Sequence, residues 1–166
     1  MTVRAYFIKG LGGTFGLYDA GIKDVRSDLV SMPGVRDGGM YTYPQRDYLV
    51  AQIRNDRAVN SSLKIAVLGH SLGAVTAMSV TDYLPVDFVV LFDVAGGVPS
   101  RVGKNTKLCF DMYDVAADMV PEWRPQAVPG YESRIKQYRG ALGHVQCPFN
   151  KQWRAIIKSE MAILAK

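Results

Sequence analysis

Lys64-Ile65-Ala66-Val67-Leu68-Gly69-His70-Ser71-Leu72-Gly73-Ala74 is the stretch on which the reading of this chain turns. Lys64 to Leu68 is a short, β-branched-rich apolar run, the length and composition of a buried strand. From Leu72 to about Tyr83 the pattern changes to a helical one, with Val75, Met78 and Ser79 on one face. Between the two sits Gly69-His70-Ser71-Leu72-Gly73, a G-x-S-x-G match. As a bare pattern it carries little; placed directly after a strand and opening a helix, it is what a nucleophile elbow requires. The turn is sharp enough to strain the serine backbone, and Gly69 and Gly73 leave room for strand and helix to approach. The alternative is a tight β-α turn with an idle serine.

Outward from this unit the chain repeats the same alternation. Arg4 to Ile8 reads as a strand that stops at Gly10-Leu11-Gly12-Gly13. Ile22, Val25, Leu29 and Met32 recur at helical spacing up to Pro33-Gly34. Gly39 to Tyr43 is a short strand candidate and Asp47 to Arg57 a helix. Asp87 to Phe92 and Lys107 to Tyr113 read as strands. Pro121 to Gly143, with three prolines and three glycines, reads as irregular surface structure. Pro148 to Ala165 forms a helix with Asn150 as N-cap and Trp153, Ile156, Ile157 and Leu164 as its apolar stripe. Alternating strands and helices, with strands apolar enough to be covered on both faces, predict an α/β fold with a mostly parallel sheet and helices on each side. With no repeat and no linker, residues 1–166 read as a single domain. Such sheets bind ligands beyond the carboxyl ends of their strands.

Composition narrows the classes. Nearly half of the 166 residues are hydrophobic (48%), which sets disorder aside. Met1 to Arg4 runs straight into apolar residues without a leader pattern, and the longest apolar runs fall far short of the ~20 residues that cross a bilayer. The expectation is a soluble, cytoplasmic protein with no stable membrane insertion. Cys109 and Cys147 stand outside any metal-binding spacing, so two buried thiols are expected, with no metal and no cofactor. The net charge of +5 resides in residues 101–166, which carry eleven basic and six acidic side chains against nine and nine before them. These charges are scattered singly, as on a solvated face, so no nucleic-acid partner is expected.

Chemistry follows from Ser71. A serine hydroxyl needs a base, and His70 and His144 are the two histidines. His70 diverges from its neighbour's hydroxyl and reads as structural support. His144 follows the last strand candidate and precedes the final helix, where the base belongs in the order Ser, Asp, His. The acid that holds the imidazole is Asp93, directly after the strand Asp87 to Phe92, with Asp114 and Asp118 as alternatives beyond the next strand. Asp93 can also be read as capping the Ala95-Gly96-Gly97 turn. Oxyanion donors are expected from the amides of Leu72 and, in the glycine-rich loop, Leu11. That loop lacks the register of a phosphate-binding P-loop.

On these residues the chain resembles the α/β-hydrolase superfamily, and within it the small lipase, esterase and cutinase-like members. Ile8-Lys9-Gly10-Leu11-Gly12-Gly13 stands in the place of the usual HG loop, Gly69-His70-Ser71-Leu72-Gly73-Ala74 matches the elbow, and Gly143-His144 the base. Leu91-Phe92-Asp93-Val94-Ala95-Gly96 is similar to the "LDPAG" stretch of pancreatic-type lipases. Ala117-Asp118-Met119-Val120-Pro121 resembles the "DxxVP" of members whose acid lies one strand later, though one residue short, so both remain open. Lys9 departs from the histidine that usually precedes the oxyanion glycine. The resemblance implies a minimal fold without a cap domain, and a serine hydrolase acting on a small-molecule or lipid ester, with short or accessible acyl groups favoured. Amidase, thioesterase and acyltransferase chemistry would use the same parts. A binding protein that keeps the fold without turnover, and a nucleic-acid binder using the basic C-terminal third, are the competing classes.

Overall fold

The structure is a computed structural model that describes residues 1–11, 20–96, 101–115 and 124–166. Its centre is a six-stranded, wholly parallel sheet. The strands are β1 (Val3–Lys9), β2 (Val35–Thr42), β3 (Lys64–His70), β4 (Val86–Phe92), β6 (Thr106–Asp114) and β8 (Ile135–Gly140), in the spatial order β2-β1-β3-β4-β6-β8. Two short strands, β5 (Arg101–Val102) and β7 (Gln126–Ala127), pair apart from it.

Side chains on a strand alternate between faces, and the sheet uses both. Tyr6, Ile8, Ile65, Val67, Val89 and Leu91 face α2 (Arg46–Val59) and α3 (Leu72–Val80), meeting Leu49, Ile53, Ala74 and Met78. Phe7, Ala66, Leu68, Phe88, Val90 and Phe92 face α1 (Ala20–Val30) and α4 (Lys151–Leu164), meeting Ile22, Val25, Leu29, Trp153 and Ile157. This is the expected α/β layering. Among the described residues no cap domain stands over the strand ends, and no helix is long and apolar enough to cross a membrane. Asn150 caps α4, its side chain accepting from the Gln152 and Trp153 N–H groups. Cys109 and Cys147 are both buried thiols.

Several boundaries differ from expectation. The second strand begins at Val35, not Gly39, because Gly38 forms a bulge where the β1 register slips between Ala5 and Tyr6. The elbow helix ends at Val80 instead of Tyr83. The final helix starts at Lys151, after a 3₁₀ turn over Cys147–Phe149. The largest correction is β8, which lies within the stretch read as irregular. Its residues, Ile-Lys-Gln-Tyr-Arg-Gly, are polar because it is an edge strand, paired on one side only, with β6.

Candidate active site

The sheet delivers its functional residues through hydrogen bonds that continue past the strand ends. Ser71 N–H donates to the Phe92 carbonyl (2.9 Å), Asp93 N–H to that of Met112 (2.9 Å), and Val115 N–H to that of Gly140 (3.2 Å). The termini of β3, β4, β6 and β8 are thereby tied side by side.

Ser71 sits at φ 59°, ψ −125°, between strand and helix. A non-glycine residue there is strained by ~1–3 kcal/mol and persists only where its surroundings hold it. The holding is visible in the glycines. A Cβ on Gly69 would stand 2.2 Å from the Gly73 oxygen, and one on Gly73 2.4 Å from the Ile8 oxygen. Only hydrogen at both positions lets β3, α3 and β1 approach this closely. Asp93 is, among the described residues, the other non-glycine residue at positive φ, 43°, and its turn aims the carboxylate across the strand ends.

His144 lies between them. Its Nε2 is 2.9 Å from Ser71 Oγ, and its Nδ1 is 2.6 Å from Asp93 Oδ2. One tautomer satisfies both contacts: Nδ1–H donates to the carboxylate, leaving Nε2 to accept from the hydroxyl. Ser71 is 9% exposed, and the His144 and Asp93 side chains 14% and 13%, so the site is shielded yet open to a substrate. A hydroxyl bonded to a neutral imidazole, itself bonded to a carboxylate, is an arrangement in which the oxygen can lose its proton as it attacks.

The three residues named from sequence are therefore the three brought together. Asp114 is not on the ring: its Oδ2 accepts the Leu142 N–H at 2.6 Å, and its own N–H donates to Asp93 Oδ1 at 3.2 Å. Asp118, and with it the "DxxVP" likeness, lies outside the described residues. His70 donates from Nε2 to the His144 carbonyl oxygen (2.8 Å), its ring 4.9 Å from that of His144. Leu72 occupies the first position of α3, where backbone N–H groups lack intrahelical partners. Leu11 is exposed just beyond β1. It follows Gly10, where an added Cβ would stand 2.8 Å from Ser71 Cβ. The Gly10 backbone is thus pressed against the serine, while Gly12 and Gly13 lie outside the described residues. Among the described residues no cluster of His, Cys, Asp and Glu could hold a metal ion.

Sequence reasoning missed the links from Asp114 to Asp93 and Leu142. No local signal carries them, because they depend on β8 lying beside β6. Among the described residues are hollows of about 300 and 440 Å³, one lined by Thr81, Arg101, Lys104 and Tyr131, the other by Tyr43, Arg46, Val75 and Thr76. Neither is lined by Ser71, Asp93 or His144.

No protein-family model matches this sequence, and no curated protein matches it. Solved structures do. A protein of the α/β superfamily from Xanthomonas campestris superposes with a TM-score of 0.58 at 12% identity, over 97% of this chain and 96% of that one. Human thioesterase 2 gives 0.55 at 12% identity, over 100% and 98%. A cutinase-like protein from Cryptococcus gives 0.52 at 13% identity, over 99% and 94%. These likenesses show the fold alone, a minimal α/β-hydrolase fold.

Proposed function

We propose that this protein is a serine hydrolase that cleaves carboxylic esters through an acyl-enzyme on Ser71. The observation that carries the reading is the continuous hydrogen-bonded chain from Ser71 Oγ through His144 to Asp93, set on adjacent strand ends.

Ser71 Oγ attacks the ester carbonyl carbon while His144 Nε2 takes the hydroxyl proton. Asp93 stabilises the imidazolium so formed and fixes its orientation. The negative oxygen of the tetrahedral intermediate is met by the N–H of Leu72 and that of Leu11, the expected pair of oxyanion donors. Collapse breaks the bond to the leaving alkoxy group, which takes the proton from Nε2 and departs as the alcohol. Water then attacks the acyl-enzyme, giving its proton to Nε2. The second collapse releases the carboxylic acid and returns the proton to Ser71.

The proposed substrate is a small-molecule or lipid ester, with short or accessible acyl chains favoured, as the minimal fold implies. The thioesterase and the cutinase-like protein among the similar structures support acyl transfer to water and make thioesters the first comparison.

A panel of p-nitrophenyl esters of rising chain length, beside acyl thioesters, tests this on wild type and Ser71→Ala. The expected loss in kcat for Ser71→Ala is on the order of 10⁶-fold, with the fold retained and fluorophosphonate labelling abolished. Ser71→Ala turnover within about tenfold of wild type would sink the mechanism, given such a nucleophile's usual weight.

A further inference from the structure

The residue that chain order offers as a rival acid has another task. Asp114 ends β6, only 6% exposed as a residue, and it bonds in two directions. Its backbone N–H donates to Asp93 Oδ1 at 3.2 Å, the carboxylate oxygen that does not face His144. Its own Oδ2 accepts the N–H of Leu142 at 2.6 Å, two residues before His144. The turn carrying His144 is anchored again on either side of that bond, by Val115 N–H to the Gly140 carbonyl and by His70 Nε2–H to the His144 carbonyl. Room for the carboxylate depends on Gly140, where a Cβ would stand 3.2 Å from Asp114 Oδ2 and 2.6 Å from the Trp153 ring.

We propose that Asp114 is a positioning residue, which orients Asp93 with its backbone and holds the His144 turn with its carboxylate, so that one residue sets the Asp93–His144 separation. The inference rests on the proposed triad. Its physical basis is the geometry of a loop-borne base. His144 follows a short edge strand and a turn with Gly143 at positive φ, 92°, so its imidazole is only as well placed as that turn. A charge-assisted bond from a buried carboxylate to a backbone N–H is stronger and shorter than a neutral one, and here it ties the turn to the same residue that bonds the acid. A 1 Å misplacement in such a chain costs on the order of 10²-fold in rate.

Asp114→Ala deletes the acceptor for Leu142 N–H and leaves the residue 114 N–H on Asp93 intact. Asp114→Asn keeps an oxygen in place and removes the charge. The expected result is a kcat about 10- to 100-fold lower for Asp114→Ala, with KM within about twofold, because the group touches no substrate. Asp114→Asn is expected to recover to within about threefold of wild type, since a neutral acceptor still satisfies the N–H. Proton NMR of the His144 Nδ1–H, which reports the bond to Asp93 whether or not the enzyme turns over, is expected to shift or broaden in Asp114→Ala and return in Asp114→Asn. If Asp114→Ala fails to fold, Asp114→Ser replaces it, its hydroxyl being too short to reach Leu142. An unchanged kcat and resonance in the folded deletion variant would overturn the proposal. So would equal impairment of Asp114→Asn and Asp114→Ala. A wild type that hydrolyses no ester would defeat the proposed function instead, and the Nδ1–H signal would still decide the role of Asp114.

Discussion

Asp111 is fully buried in β6, with one carboxylate oxygen accepting from Gln137 Nε2 at 3.2 Å and the other without a hydrogen-bond partner. Burial pushes its pKa up to about 7 from an ordinary 3.8; the charge of Asp93 adds to the rise, while Arg124 and the Gln137 amide oppose it. The neighbouring Cys109 thiol, also buried, is raised well above its usual range. The carboxyl of Asp111 is therefore neutral in the folded protein at mildly acidic pH. Below pH 3.8 it is protonated in both states and adds no pH dependence. Between 3.8 and 7 only the unfolded chain releases the proton, so stability falls as pH rises, and above 7 the loss levels off. Three pKa units correspond to about 4 kcal/mol, of which more than half, about 2 to 3 kcal/mol, accrues between pH 5 and pH 8. Asp111→Asn keeps the volume and removes the ionisation. Its stability relative to wild type is expected to rise by that amount from pH 5 to pH 8, or roughly 5–10 °C in melting temperature for a domain of this size. Urea melts followed by tryptophan fluorescence at several pH values measure it. A difference between the two proteins that stays constant from pH 5 to pH 8 would refute the reasoning.

Gly10→Ala places a Cβ 2.8 Å from Ser71 Cβ and 3.2 Å from Ser71 Oγ; β1 and the elbow must part, and kcat is expected to fall by on the order of 10²-fold. Wild-type ester turnover in this variant would contradict the packing described. Asp93→Asn is expected to lower kcat at neutral pH by up to ~10⁴-fold, because the amide favours the wrong imidazole tautomer, with melting temperature little changed; steady-state kinetics check it.

The parts of the fold legible in sequence are those whose environment is uniform. Ile65 to Leu68 and Phe88 to Phe92 lie at the sheet centre, covered on both faces and in strands paired on both edges, so each of these positions selects an apolar side chain. The edges were harder because their environment is mixed. β8 buries little, and Lys136, Gln137 and Arg139 are the polar residues that keep an edge from pairing with other chains. β2, at the opposite edge, carries Gly38 where a Cβ would strike the Tyr6 ring at 2.5 Å; this glycine lies just before the strand candidate Gly39 to Tyr43, and in the sheet it is a bulge within β2.

The site divides along the same line. Ser71 was readable because everything it requires is local: a strand before it, a helix after it, and hydrogen at Gly69 and Gly73. The acid is less sharply readable: Asp93 leads with Asp114 and Asp118 as alternatives, because Asp93 and Asp114 both follow apolar strands and both can face the strand ends. What separates them is register. Phe92 pairs with Met112 in the parallel ladder, so Asp93 leaves its strand one step beyond that pair, while Asp114 is still bonded within β6 opposite Gly140. Asp93 is therefore free to turn at φ 43° and reach Nδ1 of His144, whereas Asp114, still in the sheet, accepts from the Leu142 N–H of the adjoining turn. Register between non-adjacent strands is a tertiary quantity, set by how the helices on both faces seat the whole sheet. A residue's distance from the end of its own strand cannot reveal it.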